Sequence, residues 1–231
     1  MVRASVRELS VALRLTLLMA VLTGIVYPVV ITGVAQGLFK DKADGQLVTD
    51  GTGSVVGSHL IGQSFYQTTR DAAGNLIDKT TTDKDGNVHF VIDPRYFQSR
   101  PPAATAPDPN DPNSVVPAYN PSNSGASNDA PSNPALIARI RATVKDFRDN
   151  GVTGDIPIDL VTADFTGFDP DISEAAALVQ VPMVARARGL DQGRLRQVVE
   201  DHVDGRVLGI FGEPHVNVLD LDLALDGGAG R

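Results

Sequence analysis

Twenty-five consecutive residues without a charge, "LTLLMAVLTGIVYPVVITGVAQGLF" at 15–39, constrain this chain more than any other feature. As a helix the stretch would run about 37 Å, against roughly 30 Å of bilayer hydrocarbon, so it can span a membrane. Gly24, Pro28, Gly33 and Gly37 would weaken a soluble helix. In a membrane, neighbouring helices cover freed backbone groups and small residues let a second helix approach, which makes Gly33 and Gly37 candidate contact positions. A cleaved secretory signal is the competing reading, because Gly33-Val34-Ala35 offers a small-x-small site after a basic start. Signal apolar regions run about 7 to 15 residues, however, and this stretch is longer. Arg3, Arg7 and Arg14 precede it with only Glu8 opposing, so residues 1–14 are expected in the cytoplasm and the remainder outside.

The 231 residues have room for one good-sized domain besides the span. A net charge of -8 leaves no basic face to neutralise phosphates, which argues against a nucleic-acid partner. Without cysteine there can be no disulfide and no thiolate metal site. The expected class is α+β: a single transmembrane helix at 15–39, one extracytoplasmic domain at 40–226, and a tail at 227–231.

Within that domain, residues 46–66 read as short strands and turns between glycines. Gly51, Gly53 and Gly57 are spaced one residue too long for a dinucleotide fingerprint. In the insertion 67–94, Asp71-Ala-Ala-Gly74-Asn75-Leu76 is echoed by Asp83-Lys-Asp-Gly86-Asn87-Val88, which suits two hairpin turns flanking an extended Thr80-Thr81-Thr82. Nine prolines, six asparagines and five serines in 101–134 point to an extended segment with too little apolar surface for a helix or sheet core. A helix follows: Asn133 can cap it, Pro134 fits its first position, and Ile137, Ile140, Val144 and Phe147 form its apolar stripe up to Gly151. Further on, 156–165 reads as a strand, 173–180 as a helix capped by Ser173 and interrupted at Pro182, and Gly189 as a stop. Residues 191–203 read as an amphipathic helix, and 215–225 as a strand with Leu219, Leu221, Leu223 and Leu225 on one face.

Catalytic signals are sparse. Asp78-Lys79-Thr80 matches the start of the DKTGT loop that carries the phosphorylated aspartate of P-type ATPases, but Thr81-Thr82 follows instead of Gly-Thr. A bystander on a surface hairpin is the better reading. Asp83-x-Asp85-Gly86-Asn87 is an incomplete calcium loop lacking the terminal Glu. His59, His89, His202 and His215 lack metal-type spacing, and no G-x-S-x-G, Walker A or HExxH motif occurs.

Six segments go further: "GSHLIGQSF" (57–65), "YFQSRPPA" (96–103), "YNPSNSGASNDAPSNPAL" (119–136), "IPIDLVTADFTGFDPDIS" (156–173), "QVPMVARARGL" (180–190) and "GRVLGIFGEPHVNVLDLDLAL" (205–225). In this order, after one N-terminal span, they resemble the C subunit of the Kdp high-affinity potassium-transporting ATPase. The resemblance omits roughly 67–94 and 104–118. Ala126 and Ala130 stand where that family usually has glycine, Asp129 and Asp171 where an apolar residue and histidine are usual, and Asp164 and Phe165 where small residues are usual. It implies a non-catalytic subunit that assembles with a potassium-channel-like subunit and an ATP-hydrolysing P-type subunit. It also implies a catalytic chaperone role that raises ATP affinity, with ATP a ligand of the complex and no cofactor held by this chain itself. The densest match supplies the interface candidates Tyr119, Asn120, Ser124, Gly125, Ser127, Asn128, Ser132 and Asn133, beside Gly33 and Gly37. A secreted or anchored binding module or hydrolase remains the alternative.

Overall fold

The computed structural model describes residues 2–49, 52–70, 76–82, 88–108 and 111–227, in two compact units that divide after Val56. The first unit is dominated by one continuous helical rod: α1 (Val2–Val21), a π-helical turn (Leu22–Val26) and α2 (Tyr27–Leu38). Its apolar stretch, Val6–Leu38, covers 33 residues, none of them buried within the protein. Residues 2–14 are therefore helical as well. The π-turn answers to Pro28, which has no N–H to donate and whose ring crowds the carbonyl of Gly24. One extra residue in the turn relieves both, and the Tyr27 N–H reaches back to the Leu22 carbonyl instead. A short α3 (Lys40–Ala43) follows, with Asp44 accepting from Lys40 Nζ at 2.5 Å and Gln36 Nε2 at 3.0 Å. Strands β1 (Leu47–Thr49) and β2 (Val55–Ser58) pair with each other.

In the second unit the strands come in twos. β3 (Thr68–Arg70) pairs with β4 (Leu76–Asp78), and β5 (Thr80–Thr82) with β6 (Val88–Phe90), both antiparallel. These are the two hairpins expected from the Gly-Asn echo; the turns themselves, and the calcium-like 83–87, lie outside the described residues. Hydrogen bonds from Lys79 N to Gln67 O (2.6 Å), Gln67 N to Val91 O (2.8 Å) and Val91 N to Lys79 O (2.9 Å) join the hairpins at their base. The Tyr66 ring stacks on Phe90 with centroids 4.8 Å apart.

Residues 101–134 are not wholly irregular. β7 (Thr105–Asp108) and β8 (Asp111–Pro117) form an antiparallel ribbon. A ribbon needs only paired backbone, so scarcity of apolar side chains does not forbid it. Its register slips between Pro107 and Asp108, beside the residue that cannot donate to the ladder.

Helix α4 (Pro134–Asp149) is capped by Asn133 Oδ1, which accepts from Ala135 N at 2.8 Å. The expected strand at 156–165 is instead a 3-10 turn (Ile158–Leu160). Thr162 donates from both its N–H and its hydroxyl to the Ile158 carbonyl, and Asp159 Oδ2 takes Ser173 N at 2.7 Å. Such local bonds compete with a ladder. β9 (Asp171–Ser173) leads into α5 (Glu174–Arg188), which runs through Pro182 without a break. Pro182 costs one hydrogen bond, and burial of Ala177, Val181, Met183 and Val184 around the helix offsets it. Gly189, at φ +67°, stops the helix in the left-handed conformation. Asp191 caps α6 (Gln192–Asp201), whose Leu195, Val198 and Val199 are buried.

The expected strand at 215–225 is half right. β10 (His215–Asn217) pairs with β9, and α7 (Val218–Asp226) follows, capped by Asn217. Val218, Leu221, Asp222 and Leu225 recur at helical spacing and are buried, which outweighs the leucine alternation. The core gathers Phe97, Phe147, Leu160, Ile172, Val216 and Leu221 around α5. The unit is α+β, as expected.

Candidate functional site

The densest cluster of sequence-derived candidates, 119–133, is held by its own polar side chains. Tyr119 is partly buried, and its hydroxyl donates to the Arg100 carbonyl; burial pushes that phenol well above its ordinary range. A Cβ on Gly62 would lie 2.5 Å from the Tyr119 ring and 2.7 Å from the Asp169 carbonyl oxygen, so only glycine lets these segments meet. Asn120 donates to Thr105 O (2.9 Å) and accepts from Ser122 N (3.1 Å). Ser124 Oγ and Gly125 N both donate to Thr166 O, at 3.1 and 3.0 Å.

The next turn closes on itself. Ser127 Oγ accepts from Asp129 N, and Asn128, at φ +53°, donates to Ala126 O at 3.0 Å. Asp129 accepts from Asn133 Nδ2 at 2.6 Å and faces Arg139 at 3.5 Å, tying the turn to α4. Ser124, Ser127, Asn128 and Ser132 are the exposed candidates of this stretch, while Tyr119, Asn120, Gly125 and Asn133 are partly buried. As a phosphate cradle the stretch 124–127 fits poorly. The Gly125 N–H and the Ser124 hydroxyl are committed to Thr166. Gly33 and Gly37 lie one helical turn apart, with open space where a Cβ would project.

Asp78 is half-buried rather than on an open surface. Burial raises its carboxyl pKa, against a hydrogen bond with Ser64. Lys79 Nζ donates to Gln67 at 3.3 Å. His59 Nδ1 meets Asp220 at 2.9 Å, and His215 Nε2 lies 3.8 Å from Asp171. Asn217 Nδ2 spans the two pairs, donating to His59 O and Asp171 Oδ1. His202 Nδ1 is bonded to the Val198 carbonyl. Among the described residues no three His, Asp or Glu side chains are grouped to hold a metal.

Sequence reasoning missed a buried polar lattice under 93–99. Gln180 Oε1 accepts from Gln98 N at 2.7 Å, and its Nε2 donates to Gln98 O and Ala176 O. Gln98 Nε2 in turn serves the carbonyls of Phe65, Asp93 and Tyr96. The available signal was a glutamine inside the apolar run "ALVQVPMV".

A sequence profile for the family described as "K+-transporting ATPase, c chain" matches residues 9–227. The chain belongs to this family. Curated members of the c chain family match over almost their whole length, each carrying the name "Potassium-transporting ATPase KdpC subunit". The protein from Methylobacterium nodulans is 46% identical over 224 residues, covering 95% of this chain and 98% of the relative. That from Rhodopseudomonas palustris strain BisB18 is 44% identical, with the same coverage. That from Geobacter sulfurreducens is 40% identical, covering 95% and 97%.

Proposed function

We propose that this chain is a non-catalytic, single-span subunit of an ATP-driven potassium uptake pump. The observation that carries the reading is 40 to 46% identity over about 95% of the chain to proteins named as KdpC subunits. One apolar helical stretch of 33 residues supports attachment to a membrane. Arg3, Arg7 and Arg14, ahead of the uncharged run at 15–39, support an N-terminus in the cytoplasm and a domain outside. The partners are a potassium-channel-like subunit and an ATP-hydrolysing P-type subunit.

The chain stabilises the assembled pump and raises the ATP affinity of the hydrolysing subunit without holding nucleotide. The inward-turned donors at 124–127 favour this indirect route. A domain that binds one conformation of the pump more tightly than another shifts the population, and nucleotide affinity moves with it. Affinity purification of the full chain from membranes in mild detergent tests the assignment, with both partner subunits expected by mass spectrometry. ATP titration of the pump with and without the chain tests the coupling: equal nucleotide affinity in both preparations would refute it. Intact mass tests the anchor, since a mature chain starting at Gln36 would mean a cleaved signal.

A further inference from the structure

The segment "RVLGIFGE" at 206–213 carries large apolar side chains in a place where folding leaves them mostly exposed. Val207, Leu208, Ile210 and Phe211 are 66, 84, 71 and 63% exposed. They do not sit on a loose loop. Val207 and Phe211 exchange backbone hydrogen bonds at 2.8 and 3.0 Å, and Gly209 N and Ile210 N close the tip onto Arg206 O and Val207 O. The base is fixed by the Asp204–His215 bridge and by the 2.5 Å ion pair of Arg206 with Glu213. At the tip Leu208 adopts φ +55°, a region costly for a bulky side chain, next to Gly209 at +73°. Asparagine or glycine would serve the turn better, so the turn alone does not account for leucine there.

We propose that this hairpin is a docking knob that inserts into an apolar recess with a basic rim on a partner subunit of the pump. The proposal rests on the pump-subunit reading above. Charge selects the occupant. From Asp201 to His215 the acidic side chains are Asp201, Asp204 and Glu213, and the lone arginine, Arg206, is already paired with Glu213. A knob with an acidic collar is repelled by anionic headgroups, and membrane-inserting segments carry lysine and arginine instead. Two copies meeting through it would bring like collars together. A recess in another protein, rimmed by basic side chains, meets both the apolar tip and the collar. Five residues make a small contact, well below a standard interface, so the knob acts as one concentrated anchor point. Tethering by the membrane span raises its effective concentration at the partner.

The test uses the full chain in membranes that contain the pump. Leu208 is replaced by a photo-crosslinking benzophenone amino acid, and adducts are identified by mass spectrometry. Separately, Leu208→Asn removes the apolar tip while suiting the left-handed turn. Adduct formation with a pump subunit, and at least tenfold loss of co-purifying partner in Leu208→Asn at unchanged melting temperature, are expected. If that variant melts earlier, Ile210→Ser, at a residue of ordinary φ, replaces it under the same criterion. Adducts only with lipid, with a second copy or with proteins outside the pump would overturn the proposal, as would full partner retention by the variants. Failure of the parent chain to co-purify with the pump would count against the subunit assignment instead, so the two failures are distinguishable.

Discussion

Phe97 donates its backbone N–H to Asp222 Oδ1 at 3.0 Å, joining a mid-chain loop to the last helix, while the second carboxylate oxygen finds no partner among the described residues. Burial pushes the Asp222 carboxyl pKa well above its ordinary range; the bond from Phe97 and the charge of Arg188 oppose this without cancelling it. The folded protein thus binds this proton at pH values where the unfolded chain has released it, and stability falls as pH rises from about 4 towards the raised value. Asp222→Asn removes the titration. Melting temperatures of variant and parent should agree near pH 4 and diverge in favour of the variant towards neutral pH. A difference independent of pH would exclude this account.

Gln180 supplies both halves of a bond pair to the backbone of Gln98, deep between α5 and the 93–99 loop. Gln180→Leu keeps the volume but leaves a buried N–H and a buried carbonyl unpaired, each costing about 1 to 3 kcal/mol. Chemical denaturation should register a loss of roughly 2 to 5 kcal/mol. Gln180→Glu, which retains the acceptor for Gln98 N but loses the donor and adds a charge, should be no better than the leucine variant at neutral pH.

How much of this was legible from sequence depended on whether local chemistry or distant packing decided the element. Asn133-Pro134 and Ser173 announce α4 and α5 because a cap needs only its own next three residues, and α6 was legible from its amphipathic pattern. Residues 218–226 misled because alternating leucines fit a strand, while the helical set Val218, Leu221, Asp222 and Leu225 contains an acid that no periodicity rule counts as core. At 156–165, side-chain bonds from Thr162 and to Asp159 turned an apolar run into a 3-10 turn. The candidate loop was visible as turn-rich. That Ser124 and Gly125 aim at Thr166, 42 residues on for the serine, was not.

Asp78 gives a third prediction. Its partial burial makes the neutral amide an acceptable replacement, so Asp78→Asn should leave the domain's melting temperature within a few degrees. In the assembled pump, the proposed non-catalytic role predicts that potassium-stimulated ATP hydrolysis stays within about twofold of the parent, because on that reading Asp78 forms no acyl phosphate. Abolished phosphoenzyme with intact assembly would require a nucleophile here after all.

A fourth concerns the membrane span. Gly33→Leu with Gly37→Leu fills the open space on one helical face and should block close approach of a neighbouring helix. Recovery of partner subunits in mild detergent should drop several-fold, while the chain still fractionates with membranes. Undiminished recovery would show that this face meets only lipid.

The π-turn at Leu22–Val26 gives the rod a phase step. Each helical residue turns the side chains by about 100°, so one inserted residue rotates everything before the turn against everything after it by that angle. Leu15 and Leu18 are thus offset from the positions a plain helical wheel would assign them relative to Gly33 and Gly37. Replacing Pro28 by alanine, which lets the turn close as an ordinary α-turn, would change the rod's length by almost nothing yet swing the N-terminal segment about a quarter-turn, presenting a different row of side chains to whatever lies alongside. Length and hydropathy would be almost untouched; what would change is the angular address of every side chain upstream.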